Sequence, residues 1–492
     1  MIILSVTGGT QREALSEIRA SAREADLVEL RLDRMHPGVR IDELIRAARR
    51  PVIATCRPAW EGGAFRGSER ERARVLEAAS RCGARYLDIE LTVWRELMPA
   101  LEQSAPPRGT IASVHHFGRR PPASLKVYRQ LRSVNADVLK YAFEAPDIAA
   151  LGEVRTFLES ARRDRRRAIA IAMGPEGEIS RVLYRKLGSW ATYGRADCGE
   201  TSAPGQLTVS ELRRLYRSHQ HTSRTRVFGL VGNPVAQSKG VQIHNRLMRD
   251  MNAVYCRMLV TDLRRFMTVV APLVSGFSVT IPYKESILPL LDALDDHARA
   301  IAAANTVLRR RGGFWGTNCD GIGALEAIET VLPVEGRVLL VLGAGGTARA
   351  IASEARRRGA EVIIAGRRLA KARRLARELG VRSVALESAG KVEFEILANA
   401  TPVGMAPNVR ATPMAARYLR NKVVFDAVYN PPETRLLKEA RRVGARTISG
   451  TAMFLHQAAI QSRLFTGVDP DRALMQRTLH RALVPFSREK RS

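Results

Sequence analysis

From Ile2 to Tyr193 the chain alternates short, β-favouring apolar runs with longer stretches in which apolar residues return every three or four positions. That alternation predicts parallel strands joined by helices. Eight runs stand out, at 2–6, 27–32, 52–54, 86–91, 110–115, 138–143, 168–173 and 190–193. Eight strand–helix repeats in roughly two hundred residues predict a (β/α)8 TIM barrel, whose chemistry sits at the C-terminal strand ends. The pattern fades between Leu212 and Arg226, where RSHQHTSRTR is polar and basic. This stretch reads as a linker, with residues 218–226 separating a first domain, 1–217, from the remainder of the chain. Phe228 to Val231 reads as a new strand, and α/β alternation continues through a middle domain, 227–332. A buried strand at 337–342 then enters the glycine turn of VLGAGGTARA. Strands at 361–365, 394–398 and 423–428 complete a doubly wound, Rossmann-type domain over 333–452. Residues 453–492 read as helices that return to the middle domain.

Composition narrows the function classes. Hydrophobic residues make up 45% of the 492-residue chain and charged residues 26%, which excludes a disordered or fibrous protein and supports more than one core. No run of 18 apolar residues occurs, so no membrane span is expected. The start, MIILSVTGGT, lacks a basic region before its apolar run and reads as a strand rather than a targeting peptide. Cys56, Cys82, Cys198, Cys256 and Cys319 are scattered and form no CxxC pair, so neither a disulfide framework nor a metal site is expected; a reducing, cytoplasmic location fits. The formal charge of +30 raises the possibility of a nucleic-acid partner. The charge is spread over the whole length without interleaved aromatics, however, which favours a solvated surface suited to anionic small molecules. Only ten of the 79 basic residues are lysines, so a lysine inside an apolar segment is conspicuous.

The predicted barrel strands carry ionisable residues where an interior should be apolar. Glu29 and Arg31 share one side of strand two, and Arg57 and Glu61 follow strand three. Strand five ends in His115 and His116, strand six contains Lys140, Arg181 follows strand seven, and Ser202 and Gln206 follow strand eight. A salt bridge closing the barrel mouth accounts equally well for any one of these; six segments contributing together point to a catalytic mouth. Burial and neighbouring arginines would disfavour the charged form of Lys140, and a neutral amine attacks ketones to form an imine. His115 continues the alternation of strand five and is placed to move a proton next to that imine, with Glu61 to hold its tautomer. The arginines imply a carboxylate-bearing substrate.

With ELRLD, TCRxxxEGG, SVHHF, VLKYAF, MGxxGxxSR and SAPGQ in place, residues 1 to about 215 resemble a type I 3-dehydroquinate dehydratase. The resemblance implies that Lys140 forms the imine, that His115 removes the C2 proton and returns one to the departing hydroxyl, and that Glu61 orients His115. It further implies that Arg181 grips the substrate carboxylate while Ser5, Glu29, Arg31, Arg57, Ser202 and Gln206 line the pocket. The family usually has an acid where His116 stands, a departure expected to alter pH dependence more than mechanism.

In the second half, Gly343, Ala344, Gly345 and Gly346 form a turn between a strand and a helix opened by Thr347, a context in which backbone N–H groups face a pyrophosphate. The next strand ends in Arg367 and Arg368 rather than an acid, which favours NADP; ordinary surface charge is the alternative. Lys284 and Asp320 read as a proton-transfer pair beside a ketone, and Asn305, Thr306, Asn318, Thr280 and Ser238 outline a polar pocket. With GNPVAQSK, FSVTIPYK, AANTV, GTNCDGIG, LGAGGTARA, NATPVGM, DAVYNPPETRLL and GTAMFLHQAA, residues 226–492 resemble a shikimate dehydrogenase. The implied roles are Lys284 and Asp320 in catalysis, and Ser238, Ser278, Thr280, Asn305, Asn318, Tyr429 and Gln457 at the substrate. Thr401, Gly450 and Met453 would join the glycine turn at the cofactor. Two positions depart from the family: its SxS motif ends here in Gly240, and Cys319 replaces a threonine.

Together the resemblances imply a bifunctional shikimate-pathway enzyme with small-molecule substrates, NADPH as cofactor, no nucleic-acid or membrane partner, and a monomeric or homodimeric state. Two alternatives stand beside this reading. In one, the reductase half prefers quinate or is impaired, given Gly240 and Cys319; in the other, the chain is a basic, non-catalytic regulatory protein.

Overall fold

The computed structural model describes residues 1–118, 120–198 and 205–483. They form two compact units, one of residues 1–241 with 248–275 and the other of 242–247 with 276 onward. The first unit opens with eight parallel strands, β1 (Ile2–Val6), β2 (Leu27–Arg31), β3 (Val52–Thr55), β4 (Tyr86–Glu90), β5 (Thr110–His116), β6 (Val138–Glu144), β7 (Arg167–Met173) and β8 (Thr192–Arg195). The helices α1 (Gln11–Ser21), α2 (Ile41–Ala48), α3 (Glu69–Arg81), α4 (Trp94–Ser104), α5 (Ser124–Leu131), α6 (Leu151–Arg163) and α7 (Glu178–Val182) follow β1 to β7 in turn. Capping boxes start α1 (Thr10 with Glu13) and α3 (Ser68 with Glu71), fixing where the loops give way to helix.

The strands are ordered β7-β6-β5-β4-β3-β2-β1-β8, so the ladder closes into a barrel except at the β7–β8 seam. There Trp190 N, expected to open strand eight, donates to Ala168 O at 2.8 Å, and the strand itself begins two residues later. The interior is layered by the two-residue period of the strands. Ile3, Leu27, Ile53, Tyr86, Ile111 and Val138 belong to one apolar cluster. Two positions further along each strand stand Ser5, Glu29, Thr55, Asp88, Ser113 and Lys140, all buried. A hydrophobic floor thus carries a polar layer at the C-terminal end.

The connector after the barrel is packed rather than free. Leu212, Tyr216, Ser218, His221 and Thr225 are buried, His221 Nε2 lies 2.9 Å from Tyr216 O, and Arg213 Nη2 donates to Asp26 Oδ1 at 2.7 Å. Polarity made this stretch look like a tether, but its polar groups have specific partners. The first unit continues through β9 (Arg226–Gly232), β10 (Ala253–Leu259), parallel to it, and a single turn α9 (Leu263–Arg265); α8 (Gly240–Leu247) lies between the two strands in sequence.

In the second unit, β11 (Gly276–Val279) and β13 (Thr306–Arg310) pair antiparallel, β13 pairs with β14 (Gly313–Thr317), and β12 (Ala293–Leu294) runs parallel to β14. The helices α10 (Asp296–Ile301) and α11 (Asp320–Glu329) precede and follow this hairpin. A parallel sheet comes next, with β15 (Val338–Leu342), β16 (Glu361–Gly366), β17 (Arg382–Ala385), β18 (Ile396–Asn399), β19 (Val423–Asp426) and β20 (Arg446–Ile448) ordered β17-β16-β15-β18-β19-β20. Along β15, Leu339 and Val341 enter one core cluster and Leu340 and Leu342 another, so both faces are covered. The helices α12 (Gly346–Arg357), α13 (Leu369–Leu379) and α14 (Arg435–Arg442) cross between strands. Finally α15 (Gly450–Thr466) packs on α11, and α16 (Arg472–Leu483) shares a cluster with α15 through Met475, Leu479, Ala458 and Ala459. No helix among the described residues is long and apolar enough to cross a membrane, and among them no His, Cys, Asp and Glu groups are placed to hold a metal.

Candidate active sites

The C-terminal mouth of the barrel holds a pocket lined by Glu29, Arg31, Thr55, Arg57, Glu61, His115, Lys140, Arg181, Tyr193 and Gln206, among others. Lys140 comes from the middle of β6, where strand register sets it beside Ser113 of β5. Its Nζ donates to Asp88 Oδ2 at 2.8 Å, lies 3.9 Å from Glu29 Oε1, and sits over the Tyr193 ring, 4.4 Å from the centroid. The sequence suggested an amine crowded by arginines. In the structure its close charged neighbours are carboxylates, and it rests as an ion pair.

Arg57 explains where the arginines went. It is buried and bonds Asp88, Glu90, Ser113 and, at 3.4 Å, Glu61. Glu90 is in turn held by Arg72, a fully buried guanidinium of α3 that also donates to Cys56 O. Arg31 forms a two-point pair with Asp33. Glu29 accepts hydrogen bonds from Ser5 Oγ at 2.6 Å and Thr55 Oγ1 at 3.0 Å.

Arg181 alone of the three pocket arginines has no carboxylate ion-pair partner among the described residues. It is 2% exposed, and among the described residues its Nη1 makes one 3.4 Å contact to Tyr193 O while its Nε has no partner. Burial lowers the guanidinium to about 10, with only Glu178 opposing. A buried, unpaired cation at the pocket wall is a site for an anionic group.

His115 Nδ1 lies 3.0 Å from Glu61 Oε2. Burial, then Arg57 and Lys140, hold the imidazole well below its ordinary value. Burial also pushes the Glu61 carboxyl up to about 8, with Arg57 opposing and Glu90 and Asp88 reinforcing. The 3.0 Å contact fixes the orientation of the ring and engages Nδ1, so that Nε2 is the ring nitrogen not held by Glu61. Burial works against the Asp88 carboxylate too, but Arg57 and Lys140 outweigh it and hold the group well below the usual range.

In the second unit, Asp320 at the start of α11 collects three donors. Lys284 Nζ lies 2.5 Å from Oδ2, while Asn305 Nδ2 and Gln457 Nε2 each donate to Oδ1 at 2.8 Å. Asn318 spends both ends of its amide locally, donating to Ala303 O and accepting from Asp320 N. Ser278 Oγ donates to Gln461 Oε1 at 2.9 Å, and Gln461 Nε2 continues to Thr306 Oγ1. Cys319 Sγ is 3.7 Å from that same hydroxyl. Thr280, the residue after β11, is half-buried, and Tyr429, 37% exposed, stacks on Phe454. Ser238 belongs to the other compact unit, where its Oγ accepts from Gly240 N at 3.3 Å.

The glycine turn follows β15 beside the point where strand order reverses. Gly343 has φ +114°, which suits glycine, and a Cβ added at exposed Gly345 or Gly346 would meet nothing within 4 Å. The backbone at the start of α12 is therefore open to a ligand, with Ala344 and Thr347 half-buried beside it. Arg367 and Arg368 are exposed after β16. Thr401 is tied to Asn399 by its hydroxyl at 2.6 Å. Gly450 packs against the carbonyls of Ala427 and Val428, and Met453 lies in the core under the sheet. An open glycine cradle with cations at the next strand end fits a phosphorylated dinucleotide.

Four family models match this chain. Residues 2–223 match type I 3-dehydroquinase, and 230–307 match the shikimate dehydrogenase substrate binding domain. Residues 338–430 match NADP oxidoreductase, coenzyme F420-dependent, and 450–480 match the shikimate 5'-dehydrogenase C-terminal domain. The chloroplastic bifunctional 3-dehydroquinate dehydratase/shikimate dehydrogenase of Arabidopsis thaliana is 36% identical over 479 residues, covering 92% of this chain and 79% of that protein. The chain belongs to the bifunctional 3-dehydroquinate dehydratase/shikimate dehydrogenase family. The NADP(+) shikimate dehydrogenase of Pyrococcus abyssi is 39% identical over 258 residues, 51% of this chain and 96% of that one. A crystal structure of a shikimate dehydrogenase in complex with NADP+ shares 36% identity at TM-score 0.51, over 54% of this chain and 98% of that chain.

Measured against the expected sites, the dehydratase half brings Lys140, His115, Glu61, Glu29, Arg31, Arg57, Arg181 and Gln206 around one pocket. Ser5 reaches it through Glu29. Ser202 lies outside the described residues. Sequence reasoning missed Asp88, Glu90, Ser113, Tyr193 and Arg72. The signal for the first two was present in YLDIE, where two acids share one face of a strand, as Glu29 and Arg31 do. In the dehydrogenase half the missed residue is Gln461, one helical turn beyond Gln457 on α15.

Proposed function

We propose that this chain dehydrates 3-dehydroquinate to 3-dehydroshikimate in its barrel and reduces that product to shikimate with NADPH in its second half. The observation that carries the reading is Lys140, an interior amine sharing its pocket with a histidine base and with an arginine that has no ion-pair partner among the described residues. Arg181 receives the substrate carboxylate. The Lys140 amine, once its proton has passed to a neighbouring group, attacks the ketone; water leaves and an iminium forms. The positive nitrogen makes the adjacent C–H acidic, and His115 Nε2 takes that proton. His115 then returns a proton to the hydroxyl that departs as water, and a second water hydrolyses the imine to restore Lys140. Asp88 steadies the lysine at both ends of the cycle, and Glu61 holds His115 in place.

For the second reaction, the turn Gly343–Gly346 with Thr347 would hold the pyrophosphate, and Arg367 and Arg368 the 2′-phosphate. Thr401, Gly450 and Met453 would shape the rest of that cleft. When bound, the dinucleotide supplies the hydride. Lys284 donates the proton to the carbonyl oxygen while Asp320 fixes its ammonium, and Asn305 and Gln457 anchor Asp320. Ser278, Thr280, Asn318 and Tyr429 are assigned to the substrate's hydroxyl and carboxylate groups.

The test supplies the purified chain with 3-dehydroquinate and NADPH and looks for shikimate. Lys140→Ala is expected to block flux from dehydroquinate yet leave reduction of added 3-dehydroshikimate intact. Borohydride should trap a substrate adduct on the Lys140 peptide. Wild-type turnover with that peptide unmodified would refute the imine route.

A further inference from the structure

Arg257 lies on β10, inside the stretch matching the shikimate dehydrogenase substrate binding domain, yet it packs in the same compact unit as the barrel. Its Nε donates to Glu178 Oε1 and to the Tyr216 hydroxyl oxygen, both at 3.2 Å. Its Nη2 reaches Glu211 Oε1 at 3.4 Å. The Tyr216 hydroxyl, on a fully buried side chain, donates to the same Glu178 oxygen at 3.2 Å. Glu178 is thus engaged from two sides, and it is the first residue of α7.

That five-residue helix also carries Arg181. Residues three apart on a helix are neighbours, and Glu178 is the carboxylate whose field Arg181 feels. Glu178 therefore stands between two cations. It is hydrogen-bonded to Arg257, while Arg181 has no ion-pair partner among the described residues.

We propose that Arg257 is a positioning residue for the dehydratase: by holding Glu178, it keeps that carboxylate from pairing with Arg181 and leaves the guanidinium free for the substrate's carboxylate. The proposal rests on reading the barrel as the dehydratase. It makes a residue of the dehydrogenase segment set substrate affinity in the other half. Without Arg257, a half-buried carboxylate would lose its cation one helical turn from an unpaired guanidinium. Pairing there would compete directly with substrate.

The full-length chain is assayed for dehydration of 3-dehydroquinate as wild type, Arg257→Gln, Arg257→Lys, Glu178→Gln and the Glu178→Gln/Arg257→Gln double variant. Arg257→Gln should raise KM about tenfold, the size of one competing charged hydrogen bond, with little change in kcat. Arg257→Lys should largely rescue KM. Removing the Glu178 charge in the double variant should return KM to within about twofold of wild type. A KM unchanged in Arg257→Gln, or raised equally in the double variant, overturns the proposal while leaving the barrel reading intact. Absence of wild-type turnover overturns the barrel reading and this proposal with it.

Discussion

Replacing Arg181 by glutamine should make the empty enzyme more stable and a far poorer dehydratase. The guanidinium is 2% exposed and, among the described residues, makes one 3.4 Å hydrogen bond to a carbonyl and no ion pair, so these residues leave its charge little compensated. Burial lowers it from the ordinary guanidinium range to about 10. At about 1.4 kcal/mol per pH unit this amounts to about 3 kcal/mol by which the native state disfavours the charged form. Glutamine removes the charge and keeps much of the side chain's bulk, so unfolding in urea should require about 1–3 kcal/mol more free energy after some packing is lost. In the substrate complex the balance reverses, because a carboxylate meeting the guanidinium fork gains two charge-assisted hydrogen bonds, each worth about 1.5–3 kcal/mol. KM for 3-dehydroquinate should therefore rise at least about 100-fold. The paired measurement is urea unfolding of the ligand-free chain alongside steady-state dehydration. A variant that unfolds at lower urea with KM unchanged would show that Arg181 is a structural residue and that its buried charge has no bearing on substrate.

Four further outcomes rest on the same geometry. Glu61 takes up its proton more tightly when folded, about 8 against 4.5, so its contribution to stability is complete below pH 4.5 and is lost as pH rises through about 8. His115, held below 6.5, acts in the opposite sense only below that pH; between pH 6.5 and 8 wild-type stability should fall by up to about 1.4 kcal/mol per pH unit relative to Glu61→Gln, measured by urea melts. Arg72→Met should destabilise the barrel by about 3 kcal/mol, because it leaves Glu90 buried with one cation instead of two; a loss below about 1 kcal/mol would contradict this. Asp320→Asn should lower kcat for dehydroshikimate reduction about 100-fold while dehydration continues at the wild-type rate; parallel loss of both activities would point to unfolding instead. Gly240→Ser, supplying the hydroxyl that the family's SxS motif carries, should lower the KM for shikimate about tenfold; an unchanged KM would show that position 240 has no part in binding.

The barrel was legible because its strands obey a period of two and its helices a period near four, both local properties of the chain. The same period put His115 rather than His116 toward the interior, in line with Ile111 and Ser113. The glycine turn was legible for a similar reason, since strand, turn and helix are neighbours in sequence. The seam between β7 and β8 and the packed connector were not legible. Both depend on partners far away in the chain, such as Ala168 for Trp190 and Asp26 for Arg213.

The sequence by itself determined which residue types line the mouth of the barrel, because alternation along each strand sends every second side chain inward whatever that side chain is. It could not determine which of the inward charges are already satisfied. Arg31, Arg57 and Arg181 look alike in the sequence, yet Asp33 and the pair Asp88 and Glu90 neutralise the first two, and no ion pair to the third exists among the described residues. Lys140 likewise was visible as an interior amine, while its ion pair with Asp88 and the hold of Arg257 on Glu178 arise only when strands and helices distant in sequence are brought together. The physical reason is that burial and periodicity are set by near neighbours, whereas charge compensation acts across a few ångströms of space and takes no account of separation along the chain.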